Sequence, residues 1–157
     1  MSIHVKGAVL PDGSNRDLFI DNGTFVEALE KTPTTVIDAS GLLALPGLVD
    51  LHTHLREPGF EQSETVLTGS RAAAAGGYTA VFAMANTMPV QDTAGVVEQV
   101  QSLGERHGYV TVRPIGAVTA GLAGERLAEI GAMAQSRAQV RAFSDDGHCV
   151  HDALLMR

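Results

Sequence analysis

The pattern of apolar and polar positions divides this chain into two parts at Pro46-Gly47. Before that boundary, short apolar runs are separated by turn signals, and Asn22-Gly23 between two of the runs predicts a β-hairpin. Residues 1–45 are therefore expected to form a small β-subdomain, incomplete on its own, with strands at residues 3–5, 8–10, 17–20, 24–26, 35–38 and 42–45.

After Pro46-Gly47 the pattern changes to an alternation of strand-like and helix-like segments. The first helix should begin at the N-cap Ser63 and end at Gly76-Gly77, and the second should follow the N-cap Asp92. A third helix is expected over residues 125–136, and a fourth begins near the end of the chain. The strands between these helices are expected at residues 48–52, 79–84, 109–118 and 139–143.

Successive βα units with short loops predict parallel strands joined by right-handed crossovers. Two α/β architectures fit this pattern, an open doubly wound sheet or a (β/α)8 TIM-type barrel. The open sheet usually carries a glycine-rich phosphate loop after its first strand, where this chain has His-x-His-x-Arg, so the barrel is favoured. A complete barrel takes about 250 residues. Residues 46–157 are therefore expected to form its first half, about four βα units, and the chain is expected to be truncated.

The composition excludes several classes of partner. The net charge is −7, and no cluster of lysine or arginine opposes it, which argues against a nucleic-acid partner or an anionic membrane surface. The single cysteine, Cys149, excludes an intramolecular disulfide framework and fits a reducing cytoplasm. No apolar stretch resembles a signal peptide or is long enough to span a bilayer. We therefore expect a cytoplasmic protein.

Polar side chains gather at the end of the first expected strand of the barrel. His52, His54 and Arg56 follow the largely apolar run 48–51, and alternate residues of an extended strand project to one face about 6.6 Å apart. Two imidazoles in this arrangement can bind one divalent ion, and the guanidinium beside them can bind a carboxylate. The apolar run is typical of a buried parallel strand. A pair of surface histidines on an edge strand is the alternative.

Two other strand ends add candidates. Asn86 follows the second strand, where it is either a hydrogen-bonding residue of a site or an ordinary turn residue. Asp145 and Asp146 follow the fourth strand. A carboxylate at this position can bridge two metal ions, or it can be a solvated acid in a strand-to-helix turn. The residues alone leave both interpretations open.

Four segments together resemble the dihydroorotases of the amidohydrolase superfamily, and in particular the bacterial type I enzymes. His-x-His after Pro-Gly-x-x-Asp marks the superfamily, and the continuation Leu-Arg-Glu-Pro-Gly is more specific to its dihydroorotase and cyclic-amidase branch. In the type I enzymes an aspartate replaces the carboxylated lysine that bridges the metals elsewhere, and the fourth strand offers no lysine here. The four segments are residues 45–59, 76–79, 84–89 and 143–147.

The resemblance implies a metal-binding role for three residues. His52 and His54 would bind the first of two zinc ions, and Asp146 would bridge that ion to the second. Asp146 is chosen over Asp145 by register with the family. Two further histidine ligands and a proton-shuttling aspartate are expected beyond Arg157, so no catalytic residue is assigned within the chain, and its own activity is expected to be low or absent.

The implied reaction is the reversible conversion of L-dihydroorotate and water to N-carbamoyl-L-aspartate in de novo pyrimidine biosynthesis. Zinc would polarise the ring amide carbonyl of this small-molecule substrate. Arg56 and Asn86 would hold the substrate carboxylate, and His54 and the backbone near Leu55 would belong to the same substrate-binding set.

Two other functions are compatible with the resemblance. One is a non-catalytic dihydroorotase-like subunit that supports an aspartate transcarbamoylase, although this chain keeps every metal ligand that its length permits. The other is a different cyclic amidase, such as a hydantoinase or an allantoinase. A homo-oligomer or an assembly with aspartate transcarbamoylase is a further expectation, and the open strand edges of half a barrel predict self-association.

Overall fold

The computed structural model describes every residue from Met1 to Arg157 and divides them into two compact units, Met1–Pro46 and Gly47–Arg157. The first unit contains strands only, and the second contains a parallel sheet with its helices. None of the helices is both long enough and apolar enough to cross a membrane.

The unit Met1–Pro46 is built on four strands: β1 (Ser2–Val9), β2 (Asn15–Asp21), β3 (Thr24–Val26) and β4 (Thr35–Asp38). They form one sheet in the order β3-β2-β1-β4, in which β1 is antiparallel to β2 and parallel to β4. Asn22 and Gly23 join β2 to β3 with φ values of 48° and 80°, the left-handed conformation that a type I′ turn requires. The predicted hairpin is therefore confirmed.

β1 is a single strand where the sequence predicted two shorter ones. Lys6 and Gly7 lie opposite the single residue Asp17 of β2, so β1 continues through a bulge. The Asp17 carboxylate accepts the Gly7 N–H at 2.9 Å. This hydrogen bond, with a smaller contribution from His4, holds the pKa of Asp17 below its ordinary value.

The strand expected at residues 42–45 is wrong. Leu43 pairs with Val9 in a single bridge. The residues before it form a turn in which the Leu42 N–H donates to the Ala39 carbonyl at 2.9 Å. Because of this turn, the backbone meets the sheet only at Leu43 and does not form a ladder.

The unit Gly47–Arg157 alternates strands with helices: β5 (Leu48–Thr53), α1 (Val66–Ala75), β6 (Tyr78–Ala83), α2 (Ala94–His107), β7 (Thr111–Pro114), α3 (Ile130–Gln135) and α4 (Ala153–Met156). A 3-10 turn, Ala120–Leu122, lies between β7 and α3. β5, β6 and β7 pair in parallel, in that order. The predicted arrangement of parallel strands with crossover helices is confirmed for these three strands.

The fourth strand expected at residues 139–143 is wrong. The segment meets the sheet at one bridge, where the Gly116 N–H donates to the Ala142 carbonyl at 3.1 Å and the Gly116 carbonyl accepts from Ser144 at 2.9 Å. The amides of the first two residues of the segment donate instead to carbonyls at the end of α3. Because those N–H groups are engaged with α3, the segment does not extend a ladder beside β7.

Helix α1 begins two residues later than predicted. Its N-cap is Thr65, whose side chain and that of Thr68 form a reciprocal capping box. Ser63, the predicted cap, closes the preceding turn by donating its N–H to the Phe60 carbonyl at 2.9 Å.

The second and third helices also differ from the prediction. α2 begins after Thr93, and Asp92, the predicted cap, accepts a backbone N–H from the 3-10 turn at 2.8 Å. The helix expected over residues 125–136 is limited to α3, because Leu127 pairs with Thr119 in an antiparallel bridge and keeps the preceding backbone extended.

The main core of this unit lies where the sheet packs against α1 and α2. One cluster of buried side chains joins these layers: Leu55, Val66, Val81, Ala83, Val100 and Val112. Much of β5 is not covered, since Val49 and Leu51 are 53% and 66% exposed. The expectation of a buried first strand is therefore wrong: β5 is the edge strand of the sheet and pairs only with β6.

Helix α2 packs closely on β7 at Gly104, where an added Cβ would lie 2.6 Å from the Cβ of Val112. We expect Gly104→Ala to lower the free energy of unfolding by about 1–3 kcal/mol, because the methyl group forces the helix away from the strand. Gly95→Ala on the same helix is the matched control, since nothing lies within 4 Å of its added Cβ. The control should be neutral or stabilising by up to about 1 kcal/mol. Urea unfolding followed by circular dichroism measures both, and equal losses would contradict this packing.

Candidate metal centre

His52 lies at a bulge in β5, close to the carboxyl end of the strand. Asp50 pairs with Val81 and Thr53 pairs with Ala83, so two residues of β5 face a single residue of β6. Val81 and Ala83 are buried on the helix-covered face of the sheet. The bulge therefore turns His52 and His54, which flank Thr53, toward the other face. The His52 N–H donates to the Asp50 carboxylate at 3.0 Å and supports this conformation.

His54 follows β5 directly, and Asn86 follows β6 at the same edge of the sheet. His54 Nδ1 lies 3.1 Å from Asn86 Oδ1. The two loops also bind each other through the backbone, because the Met88 N–H donates to the Pro58 carbonyl at 2.9 Å. Gly59 permits this approach, since an added Cβ would lie 2.3 Å from the Met88 carbonyl oxygen. Close packing of the two loops thus holds Asn86 beside His54.

Asp146 reaches the same place from the segment that follows the single bridge to Gly116. Its Oδ1 lies 3.3 Å from Nε2 of His52, and its Oδ2 lies 3.4 Å from Nε2 of His54. The Asn86 side-chain amide donates to Asp146 Oδ2 at 3.1 Å. The structure therefore brings together His52, His54, Asn86 and Asp146 from the ends of β5 and β6 and from the segment after the bridge.

The ligand atoms of His52, His54 and Asp146 lie close enough together to bind one metal ion. One ligand atom from each of His52, His54 and Asp146 lies within 4.8 Å of the others. Ligands bound at about 2.0–2.1 Å to a tetrahedral zinc lie about 3.3 Å apart, whereas a charge-assisted hydrogen bond is about 2.7–2.9 Å long. Each imidazole Nε2 lies beyond that hydrogen-bond length from a different oxygen of Asp146, at 3.3 and 3.4 Å. Imidazole nitrogens with a carboxylate oxygen are a donor set that suits several divalent transition metals, zinc among them.

The cluster is accessible from solvent. The side chains of His52, His54 and Asp146 are 55%, 32% and 20% exposed. An ion can therefore reach all three ligands without a rearrangement of the fold.

Asn86 orients two of the three candidate ligands. A proton on His54 Nδ1 is accepted by Asn86 Oδ1, which leaves the lone pair of Nε2 free for a metal. The amide end of Asn86 restrains Asp146 at the same time. The substrate-binding role that the resemblance implies for Asn86 stays a prediction.

Asp145 lies elsewhere, although it is adjacent to Asp146. It is only 5% exposed and accepts the N–H groups of Val118 at 2.7 Å and Thr119 at 3.0 Å. The Thr119 hydroxyl donates to its other oxygen. Of the two aspartates, Asp146 is the one that the structure brings to the histidines.

Arg56 does not extend the strand alternation that its spacing from His54 indicates. β5 ends at Thr53, and Arg56 has a φ of 60°, a left-handed conformation that is uncommon for a residue other than glycine. None of the ion pairs in the structure involves Arg56. The structure therefore places Arg56 in the loop that follows His54, without an ion pair to Asp146. The side chain of its neighbour Leu55 is buried in the core.

Two residues that shape the site were missed in the sequence. Glu57 accepts the N–H of Val66 at 2.8 Å and so ties the start of α1 to the loop that carries Arg56. Thr119 binds Asp145 across 26 positions of the chain. Glu57 lies nine residues before α1, too far away to be recognised as a capping residue. The contact between Thr119 and Asp145 joins distant residues and leaves no local signal in the sequence.

Solved structures define the class of the fold. The L-hydantoinase (dihydropyrimidinase) from Arthrobacter aurescens matches with a TM-score of 0.66 and 24% identity, over 76% of this chain and 29% of that chain. The dihydropyrimidinase from Brevibacillus agri matches with a TM-score of 0.60 and 26% identity, over 76% of this chain and 28% of that chain. The expected fold class, α/β with part of a TIM-type barrel, is confirmed.

Sequence comparison defines the family within that class. Residues 41–157 match the family described as dihydro-orotase-like, so the chain belongs to that family. It is 72% identical over 156 residues to a dihydroorotase of Leifsonia xyli subsp. xyli and 63% identical over 157 residues to one of Streptomyces coelicolor. Both alignments cover 98% of this chain and 36% of the relative. The chain thus spans about a third of the length of these curated relatives.

Loss of Asn86 should weaken metal binding without removing a ligand. We expect Asn86→Ala to lower zinc affinity by about 10–100-fold, because His54 and Asp146 lose the group that orients them. Thr87→Val is the matched control in the same loop: the Thr87 hydroxyl donates to the Pro89 carbonyl at 2.8 Å and binds neither ligand. Competition with a chelator measures the affinities. Equal affinities of the two variants would refute the orienting role.

Proposed function

We propose that this chain forms part of the active site of a zinc-dependent dihydroorotase, a hydrolase of cyclic amide C–N bonds. The reaction is the reversible conversion of L-dihydroorotate and water to N-carbamoyl-L-aspartate. The observation that carries the proposal is the convergence of His52, His54 and Asp146 in a chain that is 72% identical to a dihydroorotase. The proposed setting is pyrimidine biosynthesis in the cytoplasm.

His52, His54 and Asp146 are the proposed zinc ligands of this chain. Each carboxylate oxygen of Asp146 faces one of the two imidazoles, so all three side chains are directed at the position proposed for the first ion. Zinc bound there supplies a Lewis acid that polarises the ring carbonyl of the substrate. Asn86 keeps the ligands in place through His54 Nδ1 and Asp146 Oδ2.

Arg56 is the proposed anchor for the substrate carboxylate. Its planar guanidinium matches a carboxylate in two-point geometry, and it has no ion-pair partner within the protein. A residue other than glycine at positive φ costs on the order of 1–3 kcal/mol, and such strain concentrates at functional sites. His54, Asn86 and the backbone near Leu55 complete the proposed substrate-binding set.

Zinc titration tests the ligand set. We expect the chain to bind zinc, and His52→Ala and Asp146→Ala each to weaken binding by more than the roughly 10–100-fold that loss of a supporting residue costs. His107→Ala, at an exposed histidine in the last turn of α2, is the matched control and should leave the affinity unchanged. Isothermal titration calorimetry measures all four proteins. A His52→Ala variant with the affinity of the control would refute this ligand set.

Enzyme assays test the reaction. Because the chain spans 36% of the length of its Leifsonia xyli relative, we expect it to show little or no activity alone. A chimera in which it replaces the matching segment of that relative should hydrolyse dihydroorotate, and the His52→Ala chimera should not.

The same assays separate the alternatives, with the unaltered Leifsonia xyli protein as positive control. A chimera active on hydantoins and inactive on dihydroorotate would refute the proposal in favour of another cyclic amidase. A chimera that folds and binds zinc but is inactive on both would favour a non-catalytic subunit.

A further inference from the structure

The segment that carries Asp146 has little support from the sheet. His52, His54 and Asn86 lie in or just after strands β5 and β6, which pair at four positions, but residues 139–147 meet the sheet only at the bridge between Gly116 and Phe143. Two backbone hydrogen bonds form that bridge. A backbone held at one point can turn about it, so a second fixed point is needed to place a side chain three residues further on.

Asp145 provides the second fixed point. Its Oδ1 accepts two backbone N–H groups, from Val118 at 2.7 Å and Thr119 at 3.0 Å, and its Oδ2 accepts the Thr119 hydroxyl. The Thr119 hydroxyl oxygen in turn accepts the N–H of Gly124 at 3.0 Å. All of these donors belong to the connection that follows β7, so the buried carboxylate replaces the missing ladder as the link between the two segments.

We propose that Asp145 is a positioning residue that sets Asp146 opposite His52 and His54. The bridge at Phe143 and the hydrogen bonds of Asp145 lie on either side of Ser144, and together they restrict rotation of the backbone at Asp146. With Asp145 held in the interior, its neighbour is left at the edge that faces the two imidazoles, at 3.3 and 3.4 Å. This inference rests on the proposed metal-binding function.

If Asp145 only stabilised the fold, its loss should affect zinc affinity no more than the loss of another buried hydrogen-bonding residue. A matched variant tests this alternative. Ser70 is also buried, and its hydroxyl accepts the Tyr109 N–H at 3.1 Å, which ties α1 to the residues just before β7, far along the chain from Asp146. Ser70→Ala therefore removes a buried connection of the same kind without touching the metal centre. A structural role would make Asp145→Ala and Ser70→Ala alike in zinc affinity.

The experiment measures zinc affinity and backbone hydrogen exchange of the 157-residue chain. We expect Asp145→Ala to lower zinc affinity by about 10–100-fold, and Ser70→Ala to leave it unchanged. Asp145→Asn should recover most of the loss, because its Oδ1 still accepts both backbone N–H groups and its Nδ2 can donate to the Thr119 hydroxyl. Without metal, the Ser144 amide should exchange faster in Asp145→Ala than in Ser70→Ala.

Each outcome decides the inference. Equal zinc affinity and equal Ser144 exchange in Asp145→Ala and Ser70→Ala would overturn it, as would failure of Asp145→Asn to recover binding. If Asp145→Ala does not fold, Thr119→Val replaces it, since this variant keeps both backbone N–H donors to Asp145, loses the hydroxyl that binds Asp145 and Gly124, and should still weaken zinc binding. If the unaltered chain binds no zinc, the proposed ligand set fails for this chain, and the Ser144 exchange rates alone decide the positioning role.

Discussion

Parallel hydrogen bonding of β6 with β5 on one side and β7 on the other brings the carboxyl ends of the three strands to one edge of the sheet. The pairing continues past the strand ends, because the Met84 N–H donates to the Thr53 carbonyl and the Ile115 N–H donates to the Ala83 carbonyl, both at 2.9 Å. The loops that follow therefore begin in register. His54 and Asn86 come into contact because this ladder aligns the residues just before them.

The adjacent residues Asp145 and Asp146 have different roles: the Asp145 carboxylate forms buried hydrogen bonds, and the Asp146 carboxylate belongs to the candidate metal centre. The Asp145 carboxylate is buried without a cation and is compensated by donors from Val118 and Thr119, as a buried acid requires. Asp146 is partly exposed and has one donor within the fold, from Asn86. Its remaining lone pairs face the imidazoles of His52 and His54. Burial of one carboxylate thus leaves the other for the candidate metal centre.

The sequence predicted much of this arrangement, because apolar runs and strand-end polar residues are local signals. The three strands of the parallel sheet, the Asn22-Gly23 hairpin and the polar residues at the strand ends could be predicted in this way, whereas the choice of Asp146 over Asp145 came from the resemblance to the family. The errors arose where tertiary contacts override local preference. Asp92 binds the 3-10 turn instead of capping α2, and the amides at the start of segment 139–143 bind α3 instead of a strand. The bulge before Thr53 follows from pairing with β6 and has no signature in the chain itself.

Loop packing also determines how much conformational freedom the ligand side chains lose when an ion binds. The contact of Gly59 with the backbone of Met88 brings the loops after β5 and β6 together, and Asn86 then restrains His54 and Asp146 through side-chain hydrogen bonds. Ligands that are already ordered lose little conformational entropy on binding, so more of the coordination free energy appears as affinity. His52 is the exception, since its ring is the most exposed of the three and has no comparable restraint from a neighbouring loop. It follows that His52, whose position depends on the bulge in β5, is the ligand that loses most conformational freedom when an ion binds.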